Sequence, residues 1–350
     1  MKTIKYLIAA AAGVVGLTAA SARAQEVVVA GAGGVLAQVT KDVFETPFTA
    51  KTGIKVRAVA ADNYLARMKA MQQTGNIEWD LTEATPETYP VMVKNGWLEP
   101  LDWSKLDPKN EQPASARATH GVASAVYSTV LAFRTDKLPA GKTMASWADF
   151  WDVKTFPGPR SLQDTPVRNL EFALLADGVP PGDLYKVLAT ADGVDRAFRK
   201  LDAIKPHVTT WWKGAAQPIQ LLASGEVNYA TTFNGRVSAL QADKVPVEMM
   251  WNGGSLNVQY VVIPKGAKNV ANAYEYLKAT YLDPERDAEF TKKIKYPNLD
   301  PRTLKHLPED LGRAMPTHPD NVKAQFTFDG GFWSERLEAM QERWAKWLLQ

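Results

Sequence analysis

Between Glu26 and Gly96 short β-rich runs and helical stretches alternate three times, and this alternation constrains the fold more than any other feature of the chain. Glu26-Val-Val-Val-Ala30 is a β-rich apolar run closed by Gly31-Ala-Gly-Gly34. Residues 35–51 follow with helical patterning, stopped by Gly53 where a left-handed C-cap is needed. A second strand is expected over 54–60, then a helix from an Asp62 cap through Gln73, ended by Gly75. Trp79-Asp-Leu-Thr-Glu83 is a third strand, and Thr85-Pro86 opens a helix that Gly96 ends. Three strand-helix rounds in succession mean an α/β fold, a mainly parallel sheet with helices on its faces.

The rhythm breaks at residues 120–134, a long β-rich run that leaves one lobe for another. Helical patterns return at 167–177, 194–204 and 217–224, with a strand at 227–231 and a helix opening at Asn234. Two further β runs, 247–251 and 258–264, flank Asn252-Gly-Gly-Ser255, and the second carries the chain back. Helices follow at 271–282 and 284–294, and residues 332–349 close the chain as one helix. A chain of 350 residues exceeds what a single core normally supports, so two lobes are expected. The crossings place residues 25–131 with 257–302 in lobe 1, and residues 132–256 with 303–350 in lobe 2, a clamshell with two discontinuous lobes. A ligand belongs between them, at the C-terminal ends of the strands.

Residues 1–24 read as a secretory signal peptide: Lys2 and Lys5, an Ala-rich apolar run too short to span a bilayer, then Ala22-Arg23-Ala24 as a cleavage site. Cleavage removes three basic residues and no acid, so 38 basic face 38 acidic residues in the remainder. A neutral chain has no bulk electrostatic reason to seek nucleic acid or an anionic membrane. The expected compartment is the periplasm, away from cytosolic ATP and NAD. The chain has no cysteine, which excludes disulfides, thiolate metal sites and cysteine nucleophiles. His120, His207, His306 and His318 lack ligand spacing, and the usual hydrolase and phosphate-loop patterns are absent, so no catalytic residue, metal or cofactor is assigned. Glu83 and Glu87 together read as a solvated pair rather than an acid/base dyad.

The Gly31–Gly34 segment falls short of a dinucleotide fingerprint, because Leu36 stands where a small residue is required and no acid ends the second strand. The adjacent Trp211 and Trp212, at a strand-to-helix junction, are placed to stack on a planar or cationic ligand. Thr232-Phe-Asn-Gly-Arg236 is a second junction of this kind, with Asn234 as helix cap and either its side chain or Arg236 directed at the cleft. Trp97, Trp344 and Trp347 are assigned to the core.

Trp211-Trp-Lys-Gly-Ala-Ala-Gln-Pro-Ile-Gln-Leu-Leu-Ala-Ser-Gly-Glu226 followed by Asn234-Gly-Arg236 resembles the periplasmic solute-binding proteins of spermidine/putrescine-type ABC importers. Thr52-Gly-Ile-Lys-Val56, Val261-Val-Ile-Pro-Lys-Gly-Ala-Lys268 and Glu342-Arg-Trp-Ala-Lys-Trp-Leu-Leu349 carry the same resemblance across the chain. It implies two α/β lobes that close over a solute and dock on a membrane permease. Polyamine binders of that type hold ammonium groups with cleft carboxylates, and many have an acid followed by an aromatic where Gln259 and Tyr260 stand here. Gln259 supplies no negative charge, which leaves Glu83 as the cation anchor; Asp80 is assigned a structural role. The expected ligand set is Glu83, Trp211, Trp212, Asn234, Arg236, Gln259 and Tyr260, around an amine or polyamine-like solute. The alternatives are a zwitterionic or carboxylate solute read by Arg236, or a periplasmic enzyme on the same fold. A monomer is expected.

Overall fold

The computed structural model describes residues 26–61 and 63–350. The expected signal peptide and the expected Asp62 cap lie outside the described residues; Asn63 caps helix Tyr64–Thr74, its side chain accepting from the Ala66 N–H. Among the described residues ten strands form one sheet: β1 (Glu26–Gly31), β2 (Lys55–Ala60), β3 (Leu81–Ala84), β4 (Arg117–Ala118), β5 (Gly121–Arg134), β6 (Arg160–Gln163), β7 (Val208–Trp212), β8 (Tyr229–Phe233), β9 (Val247–Val262) and β10 (Phe326–Thr327). The order is β2-β1-β3-β9-β5-β8-β6-β7, with β4 on β5 and β10 on β9. β1 is parallel to β2 and β3, and β6 to β7 and β8. The long strands β5 and β9 pair antiparallel and join these two parallel triplets.

The apolar cores divide along this seam into two lobes. Val122 and Val261, at one end of the strand pair, pack with Phe44, Phe48 and Tyr276. Leu131, Phe133 and Met250, at the other end, pack with Phe150, Phe172 and Trp333. Between them the pair carries buried polar residues, among them Ser128, Thr129, Ser255 and Asn257. Leu307 and Met315 pack against Ala288, so the segment after residue 302 begins on the helix Pro284–Ile294. Helix Gly330–Leu349 then buries Trp333, Trp344 and Trp347 in the second lobe.

Three local features depart from the expectations. The stretch 35–51 is two α-helical pieces, Gly34–Thr40 and Thr46–Thr52, separated by a π-helical turn at Lys41–Glu45. Pro47 has no N–H to continue the α-helical ladder, and the chain absorbs the lost bond in the wider turn. Gly53 does close the stretch in the left-handed conformation, with φ 73°. The two β runs around Asn252 are one 16-residue strand with a bulge, since Leu131 pairs with Met250 but Thr129 with Ser255. Gly253 sits in that bulge at φ 67°, and a Cβ there would come 2.7 Å from the Trp147 ring, whose N–H donates to the Gly253 carbonyl at 2.8 Å. β6, not foreseen, holds a fully buried Arg160 whose guanidinium donates to the carbonyls of Phe150, Gly158 and Phe156 and lies over Tyr229.

Candidate functional site

Glu83 lies one residue from the C-terminal end of β3, and strand alternation turns it to the same side of the sheet as Leu81, toward the Phe44 and Tyr281 core. It lines a cavity of about 240 Å³ between the lobes. Leu36 and Thr40 of helix Gly34–Thr40, with Tyr281 and Phe290, complete the first lobe's wall. The seam contributes Ser124, Ala125 and Tyr127 from β5 and Gln259 from β9, which are brought together because Ala125 pairs with Gln259. Phe233, at the end of β8, and Arg236, in the first turn of helix Asn234–Ala242, face them with Tyr296.

The charges of this cavity are uncompensated. The Tyr64 hydroxyl donates to Glu83 Oε2 at 3.0 Å and Gln259 adds a second hydrogen bond. Burial nonetheless pushes the Glu83 carboxyl above its ordinary range, the two hydrogen bonds offsetting it in part. Among the described residues Glu83 has no ion-pair partner, and neither has Arg236, which is exposed. Burial pushes the Tyr296 phenol up to about 12 against the pull of the Arg236 charge. An acid and a base thus share one cavity wall without neutralising each other, and the remaining walls are largely aromatic.

Glu83, Arg236 and Gln259 are therefore brought together, whereas the other expected residues are not. Trp212 is 1% exposed, donates its indole N–H to Thr231 Oγ1 at 3.2 Å, and meets only the edge of Phe233. Trp211 packs edge-on against Trp344 and Trp347 in the second core. Tyr260 points to the face opposite Gln259, stacked on Tyr89 at 4.4 Å between centroids. Asn234 is fully buried and ties elements together rather than capping its helix: its Oδ1 accepts from the Ser128 N–H at 2.8 Å, its Nδ2 donates to the Lys295 carbonyl. Asp80 has the structural role expected, accepting from the N–H groups of Val28 and Asn269.

Glu87 is half-buried rather than part of a solvated face. It pairs with Arg168 across the lobes at 2.6 Å; burial alone would raise its pKa, but the guanidinium outweighs that and lowers it. Arg168 is itself buried at φ 68°, also donates to Asn257 Oδ1, and lies over Phe328. Tyr127, Phe233, Tyr281, Phe290 and Tyr296 went unforeseen, because nothing in their local patterns separates a cavity aromatic from a core one.

A two-lobed α/β protein that holds charges without ion-pair partners around an interlobe cavity is built to capture a small molecule. The family of bacterial extracellular solute-binding proteins matches residues 45–303, and this chain belongs to it. It is 36% identical over 330 residues to the gamma-aminobutyric acid-binding protein of Pseudomonas aeruginosa, covering 94% of this chain and 92% of that one. It is 26% identical over 287 residues to the spermidine/putrescine-binding periplasmic protein 1 of Haemophilus influenzae, covering 78% of this chain and 76% of that one. A solved ABC transporter substrate-binding protein from Bradyrhizobium japonicum superposes with a TM-score of 0.84 at 32% identity, covering 92% of this chain and 99% of that one. The chain is accordingly the substrate-binding component of an ABC transporter. The polyamine subtype suggested by the resemblance is matched only by the more distant of these two relatives. No helix among the described residues is long and apolar enough to cross a membrane.

Proposed function

We propose that the protein captures, in the periplasm, a small primary amine that also carries a carboxylate, of the γ-aminobutyrate type, and delivers it to a membrane permease. The observation that carries this reading is that Glu83 and Arg236 line one cavity, each without a protein counter-charge among the described residues. A half-buried carboxylate lacking a counter-ion is costly, and an ammonium relieves that cost while the opposing guanidinium donates a bidentate pair of hydrogen bonds to the solute's carboxylate. A volume of about 240 Å³ is below the range for drug-sized ligands and suits a single small amino acid between aromatic walls. The name of the Pseudomonas relative supports the same solute class. Closure takes place about the polar band of β5 and β9, with the lobes otherwise divided as the crossings of the chain suggest, and the Glu87–Arg168 pair fastens the two sides. The protein binds and releases its solute unchanged, and acts as a monomer.

Calorimetric titration with γ-aminobutyrate tests the reading. Glu83→Gln and Arg236→Gln should each weaken binding roughly tenfold to a hundredfold, the worth of a hydrogen bond to a charged group. A loss confined to Glu83→Gln would identify an amine without a carboxylate. Unchanged affinity in both variants would move the solute off this cavity.

A further inference from the structure

Three tyrosines line the cavity of Glu83 and Arg236: Tyr127 on β5, Tyr281 just past helix Val270–Ala279, and Tyr296 just past helix Pro284–Ile294. None of their hydroxyls has a hydrogen-bond partner among the described residues, although Tyr281 is only 7% exposed. Two other phenols show the usual pairing. Tyr185 donates to Glu171 at 3.2 Å and accepts from the Asp329 N–H at 3.0 Å, and Tyr229 donates to the Pro157 carbonyl at 3.4 Å. Tyr276 is also unpaired, but its hydroxyl is sealed in the core and does not open on the cavity. The three cavity phenols are spread between the two charges. Tyr281 feels the Glu83 carboxylate and Tyr296 the Arg236 guanidinium, while the Tyr127 ring centre lies 5.9 Å from that of Tyr296. Tyr296 can lie beside Arg236 because residue 235 is glycine; a Cβ there would come 2.6 Å from the Tyr296 ring. Burial pushes all three phenols above their ordinary value, so each keeps its proton and can both donate and accept.

We propose that the solute carries a hydroxyl or carbonyl oxygen on the chain between its ammonium and its carboxylate, and that Tyr127, Tyr281 and Tyr296 select for it. The inference rests on Glu83 and Arg236 as the two ends of the proposed site. A plain run of methylenes between those ends would cover the phenols with groups that cannot bond them, and each would be desolvated without gaining a partner. An oxygen in the middle of the solute completes them instead. A site built to bond a substrate hydroxyl rejects the analogue lacking it more strongly than an apolar pocket rejects an extra methylene. γ-Aminobutyrate therefore matches the two charges and leaves the middle of the cavity unsatisfied.

The test is calorimetric titration with two matched pairs, γ-aminobutyrate against γ-amino-β-hydroxybutyrate, and butylamine against 1-amino-2-butanol, which lack the carboxylate. Wild type should bind γ-amino-β-hydroxybutyrate roughly tenfold or more tighter than γ-aminobutyrate. At least one of Tyr127→Phe, Tyr281→Phe and Tyr296→Phe should cut that preference to less than about threefold. Each of these variants removes only an unpaired hydroxyl and keeps the ring, so folding is preserved. Wild type that binds γ-aminobutyrate as tightly as its hydroxylated analogue overturns the inference, and so does a preference unchanged in all three variants. Equal losses for both amino acids would put the phenols on the charged ends and overturn it too. A wild type that ignores both amino acids, yet prefers 1-amino-2-butanol to butylamine through these tyrosines, supports the phenol selection and sinks the zwitterion reading alone. Binding of none of the four overturns both.

Discussion

The second lobe is rich in tryptophan and turns none of it into the interlobe cavity, whereas the first lobe lines that cavity with Leu36, Thr40, Tyr281, Phe290 and one acid, Glu83. In the second lobe the indole N–H of Trp333 donates to Glu171 at 2.6 Å, that of Trp344 to Asp164 at 2.9 Å and that of Trp347 to Asp202 at 2.6 Å. Trp147 stacks on Phe172 with centroids 3.8 Å apart. These rings have both their faces and their polar atoms occupied, so they hold the lobe together. Across the cavity, Glu83 has neutral hydrogen-bond partners and no counter-ion among the described residues. A site is marked by an interaction the protein leaves unfinished, and aromatic density alone does not reveal one.

The largest effect should come from the finished side. Trp212→Ala should cost about 3–5 kcal/mol of stability in denaturant titration, the usual cost of emptying a large buried aromatic site. The folded variant should keep its solute affinity; a variant of normal stability that no longer binds would break the comparison.

A smaller effect is expected from protons. Burial raises Glu171 in the second lobe to about 7, against hydrogen bonds from Trp333 and Tyr185. It raises Asp287 in the first lobe to about 7 as well. Both are held above their unfolded values, so the stability they contribute is complete below about pH 4 and is lost as pH rises through about 7. The melting temperature of the ligand-free protein should therefore fall between about pH 5 and 8. Glu171→Gln should remove its share, about 1–3 kcal/mol, leaving a shallower slope due to Asp287. An unaltered slope in that variant would assign the dependence elsewhere.

The smallest effect should be at Tyr260, whose ring stacks on Tyr89 away from the cavity. Tyr260→Phe should change solute affinity by no more than about 0.5 kcal/mol. A loss above about 1 kcal/mol would return its hydroxyl to the site and blur the contrast.

Much of the architecture was legible because its signals are local. The C-terminal stops at Gly53, Gly75 and Gly96 are all left-handed turns, a conformation glycine adopts at no steric cost. Strand-helix alternation between residues 26 and 96 gave the first parallel triplet, and the long run ending at Arg134 gave the strand shared by both lobes. β6 was illegible for the opposite reason. An arginine inside a strand reads as a surface residue, and only the carbonyls of Phe150, Phe156 and Gly158 together with the Tyr229 ring make Arg160 a core residue. Trp211 and Trp212 suggested a stacking platform, yet which way an aromatic faces depends on what the rest of the chain packs against it.

By itself the sequence determined that this protein is a two-lobed α/β chain with an acid at the end of a first-lobe strand and a base at the start of a second-lobe helix. Residue type, period and turn chemistry act over a few positions and can be read in order along the chain. Only the tertiary structure decided that Glu83 and Arg236 stay unpaired on one cavity while Glu87 is neutralised by Arg168 and Glu171 is capped by Trp333. Compensation of charge depends on distance in space, and the partners in question stand 81 and 162 residues apart along the chain.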